Sequence, residues 1–315
     1  MSDAPTPSSS ATASADVPAA ARTPSAFADY VTLTKPRLNL LVVMTTCVAY
    51  YAGRRAGAPW AEFVHTVVGT TLVAAGASAL NQVWERDTDK RMRRTRRRPL
   101  PDARLATTPA LLFGLALTLA GIAELWAWVN PLSALVAFVT MLTYVAWYTP
   151  LKLRSSLSTI VGAIPGALPA LIGWAAATAS LSLPGWSLFA IVFCWQMPHF
   201  LAIAWMHRDD YAHAGMPLLP VIEPDGRSTG RQAVLYAAAT IPVSLLPTAV
   251  GLAGPRYLAA ALVLGAIVLW LAFEFAATRS HAAARRLFFA TIIYLPLLWL
   301  VLVLDSGLGP DPFPR

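Results

Sequence analysis

Nine stretches of this sequence are apolar over roughly the length a helix needs to cross a bilayer, about 20 residues. That recurrence limits what the chain can fold into more than any other feature. The stretches fall near 38–54, 63–84, 106–126, 131–149, 157–178, 185–206, 231–252, 256–277 and 286–304, separated by short segments that are basic or rich in Pro and Gly. Lipid offers no water to backbone amides, so each span must satisfy its own hydrogen bonds. The expectation is an all-α polytopic membrane bundle of about nine transmembrane helices. Only 13% of residues are charged, against about a quarter in soluble domains, which excludes a water-soluble globule.

Residues 1–27 are rich in Ala, Ser, Thr and Pro and lack an apolar run long enough for a signal-peptide core. They read as a disordered tail. Cys47 and Cys194 are the two cysteines, each inside an apolar block, too few for a disulfide framework or a cysteine metal site. The net charge of +8 is explained by topology rather than by nucleic acid. With the N-terminus inside, every Lys and Arg except Arg54, Arg55, Arg256 and Arg315 falls on the cytoplasmic side, as the positive-inside rule requires.

The second span ends in N-Q-V-W-E-R-D-T-D at 81–89 and runs into K-R-M-R-R-T-R-R-R-P at 90–99. Asn81, Glu85 and Asp89 are spaced i, i+4, i+8, which places three oxygen ligands on one helix face, and Asp87 adds another at its end. Such ligands suit Mg²⁺, which binds through one or two carboxylates together with substrate phosphate oxygens. Acids at a helix end also pair with neighbouring arginines without further purpose. Asn81 and Glu85, however, lie toward lipid depth, where polar groups are costly and usually functional. The sixth span carries W-Q-M-P-H-F at 195–200 and leads to Asp209 and Asp210. Spans two and six run in the same direction, so both acidic clusters emerge on one membrane face. There they can hold a diphosphate between two walls, with Lys152 and Arg154 of the next cytoplasmic loop adding positive charge. Pro198 is expected to kink the sixth span and turn His199 toward a pocket.

These residues resemble the first aspartate-rich motif of the UbiA superfamily of intramembrane prenyltransferases. The M-x-R-T-x-x-R-P-L ending at 92–100 is similar to its heme-prenylating branch, as are Y-T-P-L-K at 148–152, G-A-I-P-G-A-L-P-A-L-I-G-W at 162–174, W-Q-M-P-H-F and D-Y-x-x-A-G-x-P-L-L-P at 210–220. The resemblance spans about 30–304. It implies a UbiA-like bundle of nine helices over a single domain, 28–315, and Mg²⁺-dependent transfer of the farnesyl group of farnesyl diphosphate to a vinyl group of heme B. It further implies an inner-membrane enzyme with its active site on the cytoplasmic side, lipid around it, and a place beside other heme-biosynthesis or oxidase-assembly proteins. By position, Asn81, Glu85 and Asp89 form the first motif with Arg94 and Arg98 after it, Asp210 anchors the second, and His199 matches the histidine of the P-H-F element. The superfamily's second motif usually carries acids four residues apart. Here Met206 and Ala214 flank Asp210, and Asp209 is the spare acid.

Three competing readings remain at this stage. The first motif does not identify the acceptor, so an aromatic ring or a chlorin competes with heme. A transporter would need a polar path open to both faces, whereas both clusters lie on one. A heme-binding assembly factor would not need the carboxylate row.

Overall fold

The computed structural model describes residues 25–54 and 57–306. Every regular element among them is helical. Most of the expected N-terminal tail, Arg55, and the end of the chain beyond Ser306 lie outside the described residues. The last part of that tail needs correction, because Ser25 caps a short helix α1 (Ala26–Leu33) by accepting from the Ala28 amide at 3.3 Å. Asp29 and Leu33 of α1 are buried while Phe27 and Val31 face outward, the pattern of a helix lying along an interface.

The long helices follow as α2 (Pro36–Gly53), α3 (Trp60–Asp89), α4 (Thr107–Trp128), α5 (Pro131–Leu151), α6 (Ser158–Thr178) and α7 (Leu183–Met206). Two short ones, α8 (Arg208–His213) and α9 (Leu219–Ile222), precede α10 (Arg227–Ala249), α11 (Pro255–Thr278) and α12 (His281–Ser306). Among the described residues eight helices are long and apolar enough to cross a membrane: α3 to α7 and α10 to α12. The expected first span is α2. Its Arg37, Asn39, Thr45 and Thr46 lower its apolarity, so by that measure the count is eight rather than nine. It is nonetheless part of the bundle, packed along α6 and against α3 and α12. The Thr46 hydroxyl donates to the Pro169 carbonyl of α6 at 3.0 Å, which satisfies a polar group that would be costly in an apolar interior.

Packing divides the bundle into two groups of helices. In the first, α3 lies on α4, α4 on α5, α5 on α6, and α6 returns to α2; in the second, α7, α10, α11 and α12 pack in sequence and α12 closes back on α7. The groups meet where α6 packs on α7 and α12 on α2. α6 is the most enclosed of the spans, with 72% of its apolar window buried, and large side chains such as Trp174, Leu171 and Ile172 fill the space around it. α7 runs through Pro198 without interruption.

α5 departs from α-helical geometry over Thr143–Tyr148, where it widens into a π-turn. The Thr149 amide reaches the Tyr144 carbonyl five residues back, just ahead of Pro150, whose ring cannot continue an ordinary turn. Single π-turns of this kind gather at functional sites.

Two acids with no role evident from the sequence find one in the packing. Glu124 meets His65 at 2.7 Å across α3 and α4, and Glu274 pairs with Arg286 between α11 and α12.

Candidate active site

The basic end of the bundle opens into a cavity of about 520 Å³ that runs from a charged mouth into apolar walls. α3 supplies its acids. Asn81, Glu85 and Asp89 are all buried, whereas Trp84 and Asp87 between them are exposed, so the i, i+4, i+8 row faces inward as helical periodicity requires. Each acid has a cation. Lys152, just past the end of α5, places its ammonium 2.7 Å from Glu85 Oε1, and Arg98 lies 2.7 Å from Asp89 Oδ2. The other Asp89 oxygen, Oδ1, is buried and has no hydrogen-bond partner. A buried carboxylate oxygen without a donor is costly, and here it belongs to a residue lining the cavity.

Lys35 completes the cluster. It sits between α1 and α2 in the left-handed region, φ 47° and ψ 56°, which a side chain with a Cβ rarely adopts. Its ammonium donates to Asn81 Oδ1 at 2.7 Å, and Asn81 Nδ2 donates to the Thr149 hydroxyl at 3.0 Å. Burial pushes the Lys35 ammonium down to about 7; Glu85 opposes that shift, and Arg98 and Lys152 add to it. Burial also acts against the charge on Lys152, but Glu85 beside it and then Tyr148 more than offset this, and its pKa stands well above the usual lysine value. Lys152 therefore stays firmly charged beside Glu85, whereas burial works against the charge on Lys35.

The π-turn brings Tyr144 and Tyr148 onto one face, stacked 5.6 Å apart. Both line the cavity, and the Lys152 ammonium lies 4.5 Å from the Tyr148 ring centroid. Gly162 of α6 makes room for that ring, since a Cβ there would run into Tyr148. At the mouth, Arg94 donates to the Tyr211 hydroxyl at 3.1 Å, joining the segment after α3 to α8. Met92, Ala214 and Met216 pack together beneath that contact.

Of the residues singled out from sequence, the cavity gathers Glu85, Asp89, Arg94, Arg98, Lys152 and His199, with Asn81 behind Lys35. It does not gather the rest. Asp87 turns outward to Arg86 and Lys90, and the Asp209 side chain is 93% exposed beside Arg208. Asp210 is half-buried next to Tyr211 but does not line the cavity, and Arg154 is exposed. Lys35, Tyr144, Tyr148 and Tyr211 were not anticipated. The Lys-Pro pair opening α2 and the i, i+4 tyrosines in an otherwise apolar span were the available signals.

His199 lies deeper on α7, and its neighbours differ in kind from those at the mouth. Its ring stacks on Trp195 at 5.4 Å and on Phe288 at 4.9 Å, and Nδ1 is 2.9 Å from the Thr291 hydroxyl.

The profile of the UbiA prenyltransferase family matches residues 42–295. The chain belongs to the UbiA prenyltransferase family. UbiA-family relatives of high similarity include the protoheme IX farnesyltransferase of Solibacter usitatus, 47% identical over 286 residues that cover 88% of this chain and 98% of that protein. The protoheme IX farnesyltransferase of Opitutus terrae is 44% identical over 283 residues, covering 89% and 95%. Among solved structures, digeranylgeranylglyceryl phosphate synthase superposes with a TM-score of 0.74 at 14% identity, covering 89% of this chain and 98% of that one. A UbiA homologue from Archaeoglobus fulgidus bound to GPP and Mg²⁺ does so with 0.64 at 14% identity, covering 87% and 99%. The fold is therefore that of the UbiA family, and with eight apolar helices of spanning length the chain is an integral membrane prenyltransferase.

Proposed function

We propose that this enzyme transfers the farnesyl group of farnesyl diphosphate to a vinyl group of heme B, releasing diphosphate and giving heme O. The observation that carries the reading is a single cavity in which buried carboxylates and cations at the mouth open onto apolar walls holding an imidazole. The 41–47% identity to protoheme IX farnesyltransferases over most of the chain supports heme as the acceptor.

Mg²⁺ fits the donor set, because Asp89 Oδ1 lacks a partner and Glu85 lies one turn away on the same face. Glu85 and Asp89 would hold it; Asn81 is already engaged by Lys35 and Thr149, Asp210 does not line the cavity, and Asp87 and Asp209 face solvent. When bound, the ion neutralises charge developing on the leaving diphosphate. Lys152 and Arg98 exchange their carboxylate partners for phosphate oxygens, and Lys35 and Arg94 add charge from either side.

Cleavage of the farnesyl C1–O bond sends its electron pair to diphosphate. The terminal vinyl carbon gives its π electrons to C1, and the cation left beside the porphyrin takes the oxygen of a water molecule, which then loses a proton. Val73, Ala77, Pro169, Ile172 and Val192 line the apolar walls and keep stray water from the allylic cation. The distribution of Lys and Arg supports placing this mouth on the cytoplasmic side of the inner membrane. Purified protein given heme B, farnesyl diphosphate and Mg²⁺ is expected to yield a heavier, more hydrophobic heme, detected by chromatography and mass. Unchanged heme would overturn the assignment.

A further inference from the structure

We infer that His199 binds the acceptor through its iron, with Nε2 as the axial ligand, and that Thr291 is the residue that sets this up by fixing the imidazole tautomer. The inference deepens the proposed function and rests on heme being the acceptor.

The tautomer of His199 follows from the position of one proton. The Thr291 hydroxyl donates to the Phe288 carbonyl at 2.7 Å. A hydroxyl has a single proton to give, so in its 2.9 Å contact with His199 Nδ1 the oxygen accepts and Nδ1–H donates. In a neutral imidazole the other nitrogen then carries a lone pair. Nε2 cannot donate to a propionate in that state, but it can bind a metal. A ring N–H held by a neighbouring oxygen is also how metal-bound histidines are oriented and made better donors.

The surroundings hold the ring in place. Trp195 and Phe288 flank it in stacked geometry, and Phe200 adds a tilted contact at 5.8 Å. Trp195 is itself tied to the same turn of α12, its indole N–H donating to the Thr291 carbonyl at 2.7 Å. The groups packed around the imidazole are thus three aromatic rings and one hydroxyl, with no carboxylate or cation within hydrogen-bond reach among the described residues. His199 lines the same cavity as Glu85. It stands seven residues from the basic end of α7, about 10 Å along the axis, whereas Glu85 is four residues, about 6 Å, from the end of α3. Iron held by His199 therefore lies deeper than the diphosphate, leaving the porphyrin edge between the two.

The test uses the whole protein in detergent with heme B and no donor. Resonance Raman of the ferrous complex is expected to show an iron–histidine stretch that disappears in His199→Ala and returns with added imidazole. Thr291→Val, which keeps His199, is expected to shift that stretch and weaken heme binding roughly tenfold, and Thr291→Ser to restore both. An unchanged stretch in a folded His199→Ala protein, or in Thr291→Val, would overturn the inference. Farnesyl transfer by the wild-type protein is measured in parallel. Product formed with a stretch independent of His199 defeats the ligation alone, whereas a His199-dependent stretch without product defeats the proposed reaction alone.

Discussion

At the scale of single residues, the acids at the mouth and the imidazole deeper in the cavity have separate roles. Asp89→Ala and Glu85→Ala are each expected to lower turnover by roughly a thousandfold, the size of losing a main electrostatic stabiliser, while the protein still folds and inserts. Asp89→Glu should hurt less but measurably, because Mg²⁺ tolerates little change in ligand reach. Separate binding measurements should show Glu85→Ala losing donor affinity and His199→Ala keeping it, and the opposite pattern would refute the division of the cavity. Lys35 gives a different kind of prediction. Its left-handed backbone costs about 1 kcal/mol in a residue with a Cβ, so Lys35→Gly is expected to melt no lower than wild type while binding donor more weakly. The acids were legible in the sequence because helical spacing alone puts residues 81, 85 and 89 on one face. Lys35 was harder to read: the Lys-Pro pair marks the start of a helix, but where the ammonium points depends on the left-handed linker that only the fold sets.

At the scale of elements, the long helices were readable because each must satisfy its own amides in lipid and so announces itself by length. What escaped were the elements that such a rule does not govern. α1 is only eight residues long, too short to read as a span, and the π-turn in α5 changes hydrogen-bond partners without changing composition. α2 shows the same limit from the other side: it reads as a span, yet its Thr46 hydroxyl bonds α6 and its Asn39 amide bonds Ser78 of α3, partners that the sequence does not pair with it. The tightest seam joins α3 to α4 along much of their length. A Cβ on Gly76 would come within 2.6 Å of the Gly114 carbonyl oxygen, and backbone cannot move aside as a side chain can. Gly76→Leu is therefore expected to destabilise the protein by about 1–3 kcal/mol, read as a lower melting temperature in detergent. An unchanged melting curve would mean that the helices separate there at little cost.

At the scale of the whole molecule, charge is segregated toward one end. The mouth, Arg94, Arg98 and Lys152 share that end with the basic segment after α3, while the turn between α6 and α7 lies at the other. In a background with Cys47 and Cys194 replaced by serine, Arg96→Cys is expected to label from the cytoplasmic side of sealed vesicles and Leu181→Cys from the outside. Labelling of both from one side would refute the topology. The central claim is that one cavity first generates an allylic cation in dry surroundings and then delivers it to a vinyl group whose own cation is quenched by water. A reaction of the wild-type protein with heme B, farnesyl diphosphate and Mg²⁺ in water enriched in heavy oxygen tests it most directly, by the mass of the extracted heme. The account predicts a heme heavier by one farnesyl group and one hydroxyl bearing the heavy isotope, with no such product from Asp89→Ala. Farnesol alongside unaltered heme B, or a farnesylated heme whose oxygen is not drawn from water, would contradict it.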